Sequence, residues 1–159
     1  EVVPGISSAL AVPAYAGIPV THRQVATSFT VVTGHTAGSD NLAIEWNRLP
    51  RQGTLIILMG VGNLPRIAQQ LTAHGWAADT PTAVIQQGTT PLQTAVTGTL
   101  ANITEKAAAI APPAIIVVGE VVRFHAAIDW FETLAYNPAT AVPDWPPAAA
   151  IPTTWSHHV

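Results

Sequence analysis

No cysteine occurs in the chain, which excludes disulfides, thiolate metal sites and thiol nucleophiles and fits a reducing cytoplasm. Charge is also scarce: Asp, Glu, Lys and Arg make up 9% of the 159 residues, against roughly 25% in ordinary soluble domains. With a formal net charge of −3 and only 6 basic residues, the chain lacks the basic patch that nucleic-acid binding requires. Long apolar runs are missing too. The most apolar stretch, 107–118, is broken by Pro112-Pro113 and falls short of the ~20 residues of a spanning helix, so a membrane is not an expected partner.

What is present is apolar. Hydrophobic residues reach 48%, and a chain of this size has room for one well-packed domain, or one lobe and part of another. Low charge with high apolar content implies a surface covered by something other than water, either another lobe or a second copy of the chain. A homodimer is therefore expected, centred on residues after Gln24.

Periodicity predicts an α/β order. Gln24–Thr33 alternates Val25, Thr27, Phe29 and Val31 against smaller or polar neighbours, the pattern of a half-buried strand. A polar loop over 34–41 and a short helical stretch over 42–49, stopped by Pro50, come next. Leu55–Met59 is a continuous apolar run, as in a strand covered on both faces. Leu64, Ile67, Ala68 and Leu71 then share one helical face, with Asn63 as cap, Pro65 in the first turn and Gly75 at the C′ position. Two strands, 83–86 and 94–100, flank a Gly88-Thr-Thr-Pro91 turn, and Leu100, Ile103, Ala107 and Ile110 mark a helix that Pro112 stops. Ala114–Val118 reads as a central strand and Phe124–Leu134 as a last helix. The sum is an α/β sandwich with a mixed sheet. From Ala135 onward Pro138, Pro143, Pro146, Pro147 and Pro152 forbid regular structure, leaving a tail with Trp145 and Trp155 as anchors.

The local chemistry is concentrated at the start of the chain. Glu1–Ala9 reads as a strand end turning through Pro4-Gly5 into a helix opened by Ser7 and Ser8, a place where backbone N–H groups meet a polar ligand. Taken alone, Ser7 and Ser8 are helix caps, Met59 is core filler and Gly88 is a turn glycine. Gly60-Val-Gly62 is no dinucleotide loop, because Pro65 stands where a third glycine is needed. His35, His74 and His125 stand singly and His157-His158 lies on the tail, so no metal site is expected.

The strings Glu1–Ala9 and Ala14–Arg23 resemble the tetrapyrrole methyltransferase (tetrapyrrole methylase) family. The likeness continues in order through Val32–His35, Thr54–Gly60, Ala83–Thr89, Val96–Leu100 and Pro113–Val122, over about residues 1 to 132. It implies methyl transfer from S-adenosylmethionine to uroporphyrinogen III, giving precorrin-2, the branch point toward sirohaem and cobalamin. It also implies a homodimer, with Ser7, Ser8, Met59 and Gly88 at the methyl donor. Tyr15, Thr21, His22 and Arg23 are expected to face the tetrapyrrole, whose eight carboxylates call for cationic and hydroxyl partners. On the same likeness, residues 1–20 are the last strand and helix of an N-terminal lobe, 21–134 the C-terminal methylase lobe and 135–159 the tail. The family's glycine-rich opening loop and Gly-Gly-Asp-Pro segment do not occur here, so the catalytic acid and base are expected in an N-terminal half outside this sequence. A sister methylase acting on a later corrin precursor, or a non-catalytic dimerisation or regulatory lobe, are the alternatives.

Overall fold

The computed structural model describes residues 1–34, 44–128 and 130–133. The expected 34–41 loop beyond Gly34, the start of the 42–49 helical stretch, His35, Leu134 and the Pro-rich tail with Trp145, Trp155, His157 and His158 lie outside the described residues.

Five strands form one sheet: β1 (Phe29–Thr33), β2 (Thr54–Leu58), β3 (Pro81–Gln86), β4 (Thr94–Thr99) and β5 (Ala114–Val118), in the order β1-β2-β5-β3-β4. β1 runs parallel to β2, and the other pairings are antiparallel, with Ile57 opposite Ile116 and Val84 opposite Ile116. The expected mixed sheet is therefore present, with β5 at its centre because its five residues, Ala-Ile-Ile-Val-Val, tolerate burial on both faces.

Helices cover both faces. On one side α2 (Leu64–Ala73) and α3 (Ile103–Lys106) pack Leu64, Ile67, Leu71 and Ile103 against Leu55, Ile57 and Ile116. On the other, α1 (Ser8–Tyr15) and the 3₁₀ turn Glu120–Phe124 pack Ala9, Val12, Val121 and Val122 against Ile56, Ile85 and Val117. Residues 9–18 thus share a core with the sheet. After the 3₁₀ turn, α4 (His125–Ile128) and α5 (Trp130–Thr133) are helical within the stretch where a last helix is expected from sequence. No helix among the described residues is long and apolar enough to cross a membrane.

Helix α2 follows its sequence signals closely: Leu64, Ile67, Ala68 and Leu71 are its buried residues. Gly75 takes φ +88°, and the Gly75 and Trp76 amides return to Thr72 and Leu71 in a Schellman end. Asn63 departs from expectation. Its side chain makes no cap, and its Nδ2 instead donates to the Gly34 carbonyl at 2.9 Å, tying the end of β1 to the start of α2.

Two further expectations are corrected. Residues 1–7 form no strand, and Val2, Val3 and Ile6 are exposed, since no strand of this sheet lies beside them to complete the pairing. β1 begins only at Phe29 because His22–Ala26 closes into a turn, with the His22 and Ala26 amides each donating to the other's carbonyl at 2.9 Å. Within β1 the alternation holds but its outward row is the apolar one: Phe29 and Val31 are exposed, while Thr30 and Val32 are half-buried.

Candidate functional site

An open cleft of about 890 Å³ lies where β2 and β3 end and β5 begins. Leu58, Ile85 and Ile115 form its floor. Its walls are α1, through Ser8 and Val12, the turn after β2, and the turn joining β3 to β4. Clefts at strand ends, mostly apolar with a few polar groups, are where folds of this class hold small ligands.

The backbone at the rim is unusual. Among the described residues four non-glycine positions have positive φ, and three are here: Met59 (54°), Gln87 (48°) and Thr89 (69°). Left-handed geometry costs such residues roughly 1–2 kcal/mol each, and Thr more for its β-branch, so surrounding structure must hold them there. Strain of this kind gathers at ligand sites. Met59 is 64% exposed, so it is not the core filler its residue type indicates.

Gly88 sits between two of these residues. A Cβ added there would collide with the Val12 side chain of α1, so the missing side chain permits close approach of turn and helix. Gly60 is a packing glycine as well, since a Cβ would lie 2.8 Å from Ile57 Cγ2 and 2.9 Å from Ile67 Cδ1.

Helix α1 is fixed at both ends. Ser7 Oγ accepts from the Ala9 amide at 3.2 Å, an N-cap, and Ser7 does not line the cleft, whereas Ser8 does. At the other end Gly17, at φ +66°, closes a Schellman turn in which the Ile18 amide donates to Pro13 O and the Gly17 amide to Ala14 O. Side chains from two distant segments reach the last carbonyls: Trp130 Nε1 donates to Ala14 O at 3.1 Å, Gln93 Nε2 to Tyr15 O at 3.2 Å, and His125 Nδ1 lies 2.7 Å from Ala16 O. Because a carbonyl only accepts, His125 must carry a proton on Nδ1.

The structure thus brings Ser8, Met59 and Gly88 to one cleft from positions spread over 80 residues of sequence. It does not bring Tyr15, Thr21, His22 or Arg23 there. The Tyr15 ring packs on Trp130 and Phe131 at 5.2 and 5.0 Å, and the His22 ring lies 4.4 Å from that of Phe124. Thr21 and Arg23 are exposed at the edge of the His22–Ala26 turn. The sequence reading missed Gln87, Thr89 and Gln93. Gln93 carried a readable signal only in part, as a polar residue between a turn and a strand. Among the described residues no acidic, basic or histidine side chain lines the cleft, and no group of three or more metal-ligating residues gathers.

The model of the tetrapyrrole (corrin/porphyrin) methylases matches residues 1–104, well over half of the chain. The chain belongs to the tetrapyrrole methylase family. It is similar, at 51% identity over 132 residues, to a siroheme synthase of Neisseria meningitidis serogroup C, covering 82% of this chain and 27% of that protein. It is equally similar, over 129 residues, to an S-adenosyl-L-methionine-dependent uroporphyrinogen III methyltransferase of Methanosarcina barkeri, covering 79% of this chain and 51% of that one. Among solved structures, a uroporphyrin-III C-methyltransferase of Thermus thermophilus complexed with S-adenosylhomocysteine superposes with a TM-score of 0.67 at 36% identity, over 77% of this chain and 53% of the other. The chain spans about half the length of the single methyltransferases it matches and about a quarter of the siroheme synthases.

Proposed function

We propose that this chain is the C-terminal lobe, with the adjoining helix α1, of a uroporphyrinogen-III C-methyltransferase working in the cytoplasm, and that the cleft is one wall of its S-adenosylmethionine site. The observation that carries the reading is the convergence of Ser8, Met59 and Gly88 on one strained-rimmed cleft. The relatives' methyltransferase names support the same reaction.

The residues fit the donor's chemistry. Leu58, Ile85 and Ile115 offer apolar surface for a nucleoside, and the Ser8 hydroxyl and turn backbone offer hydrogen bonds without charge. Bound there, S-adenosylmethionine would supply a methyl group to a pyrrole carbon by in-line displacement, the carbon–methyl bond forming as the sulfur–methyl bond breaks, which would leave a neutral thioether and pass the positive charge to the tetrapyrrole. Holding carbon and methyl in line is worth up to about 7–11 kcal/mol. This wall contributes orientation through its apolar floor, the Ser8 hydroxyl and the turn backbone. Tyr15, Thr21, His22 and Arg23 remain the proposed contacts to the tetrapyrrole, outside the cleft lining at the end of α1 and on the segment that follows it. Ser7 acts on the donor through its cap on α1. The exposed apolar side chains Phe29 and Val31 on β1, with Val25 exposed in the turn before it, support a homodimer.

The test is direct. The complete polypeptide, given labelled S-adenosylmethionine and uroporphyrinogen III, should place two methyl groups on the tetrapyrrole. Label appearing only on a later corrin precursor would move the assignment to a sister methylase. The 159-residue chain alone should bind S-adenosylhomocysteine at least about tenfold more weakly than the complete protein, because a single wall leaves much of the ligand in water. Equal affinity by calorimetry would show that no second wall is needed.

A further inference from the structure

The left-handed residues around Gly88 need something to hold them, and beside the turn's own backbone bond from the Thr90 amide to Gln87 O at 3.2 Å, four contacts are seen among the described residues. Thr90 Oγ1 donates to Gln87 O at 2.8 Å, which is internal to the turn. The Gln87 amide donates to Pro113 O at 2.9 Å, which ties the turn to β5. Gly88 packs on Val12 without a polar bond. The fourth contact is Gln93, a glutamine only 9% exposed, and it reaches both walls at once. Its Oε1 accepts from the Thr89 amide at 2.8 Å, and its Nε2 donates to the Tyr15 carbonyl of α1 at 3.2 Å. Its own amide donates to Thr90 O at 2.9 Å, so the side chain springs from the turn it braces.

The amide's orientation follows from its partners. A backbone N–H can only donate and a carbonyl can only accept, so the oxygen must face Thr89 and the nitrogen Tyr15. A neutral group with one donor end and one acceptor end is required here. A carboxylate would keep the Thr89 bond but set negative charge against the Tyr15 carbonyl.

We propose that Gln93 is a positioning residue that clamps the Gln87–Thr90 turn onto α1 and thereby sets the spacing of the two cleft walls that close on the S-adenosyl ligand. The inference rests on the reading of the cleft as the methyl-donor site. Gln93 does not line the cleft and acts through Thr89 and Gly88.

The experiment uses the complete polypeptide, with S-adenosylhomocysteine as the calorimetric probe and melting temperature as the control for folding. Gln93→Leu, which removes both bonds while preserving bulk, should weaken binding by about 30-fold in protein that still melts cooperatively. Gln93→Glu should be as weak as Gln93→Leu near pH ~8, where the carboxylate is ionised. Near pH ~5.5 a carboxyl raised by burial and by the facing carbonyl is largely protonated, regains a donor and an acceptor, and should bind within about threefold of wild type at the same pH. A glutamine that merely terminated α1 would lower the melting temperature without this pH-dependent recovery. The clamp is overturned if wild type binds the probe and folded Gln93→Leu binds within threefold of it, or if Gln93→Glu tracks wild type at both pH values. Wild type that fails to bind the probe overturns the methyl-donor reading, and the clamp with it.

Discussion

Gly88→Val in the complete protein should reduce affinity for S-adenosylhomocysteine by roughly 30- to 100-fold, about the 2–3 kcal/mol that overpacking of a close contact costs. The direction of the missing side chain gives the reason. A Cβ at Gly88 would meet both Cγ atoms of Val12, so the added methyls would push the turn and α1 apart and deform the cleft between them. Local stability should fall as well, since Val12 belongs to the core on the α1 face. The two effects separate in a double-mutant cycle with Gly88→Ala and Val12→Ala. Removing the Val12 methyls relieves the two closest clashes and leaves a Cβ–Cβ contact of 2.9 Å, so the double variant should bind more tightly than Gly88→Ala alone, a coupling of about 1 kcal/mol or more. Purely additive losses would show instead that the glycine serves the ligand's approach and not the helix's.

The second large effect is on the fold itself. Ile116 is fully buried at the middle of β5, opposite Ile57 on one side and Val84 on the other. Ile116→Ala should cost about 2–5 kcal/mol, the lost transfer energy plus the cavity left behind. Against a total stability of roughly 5–15 kcal/mol this is a large fraction, read as a lower denaturant midpoint with an unchanged slope. The loss should be shared by both sheet faces, because displacement of β5 disturbs Ile57 in one core and Ile115 and Val117 in the other. A loss under ~1 kcal/mol would mean that β5 is not the central strand.

Why some of this was legible in the sequence and some was not follows from the range of the interactions involved. The face, proline start and glycine end of α2 are local signals, and all appear where residue types place them. β5 was legible because five consecutive aliphatic residues after Pro112-Pro113 leave few other structures open. β1 misled in its start and its outward face, because the hydrogen bonds that close His22–Ala26 and the packing that turns Val32 inward are tertiary choices, invisible to a period of two. Asn63 misled for a related reason: a partner 29 residues away, Gly34 O, outcompeted its own helix.

At the cleft, Ser8, Met59 and Gly88 were reached by family resemblance; their local context alone reads as cap, core and turn. The left-handed φ of Met59, Gln87 and Thr89 had no signal, since none of these residue types favours that region. Gln93 stayed hidden because its partner Tyr15 lies 78 positions away.

The most direct test of the cofactor-wall reading is hydrogen exchange on the complete polypeptide with and without saturating S-adenosylhomocysteine. Amides of the turn after β2, around Met59, and of the β3–β4 turn, around Gln87–Thr90, should exchange more slowly with ligand, together with the first turn of α1 after Ser7. Ligand that binds tightly while leaving these three segments unprotected, or protects only the α2–α3 face, would contradict the assignment of this cleft.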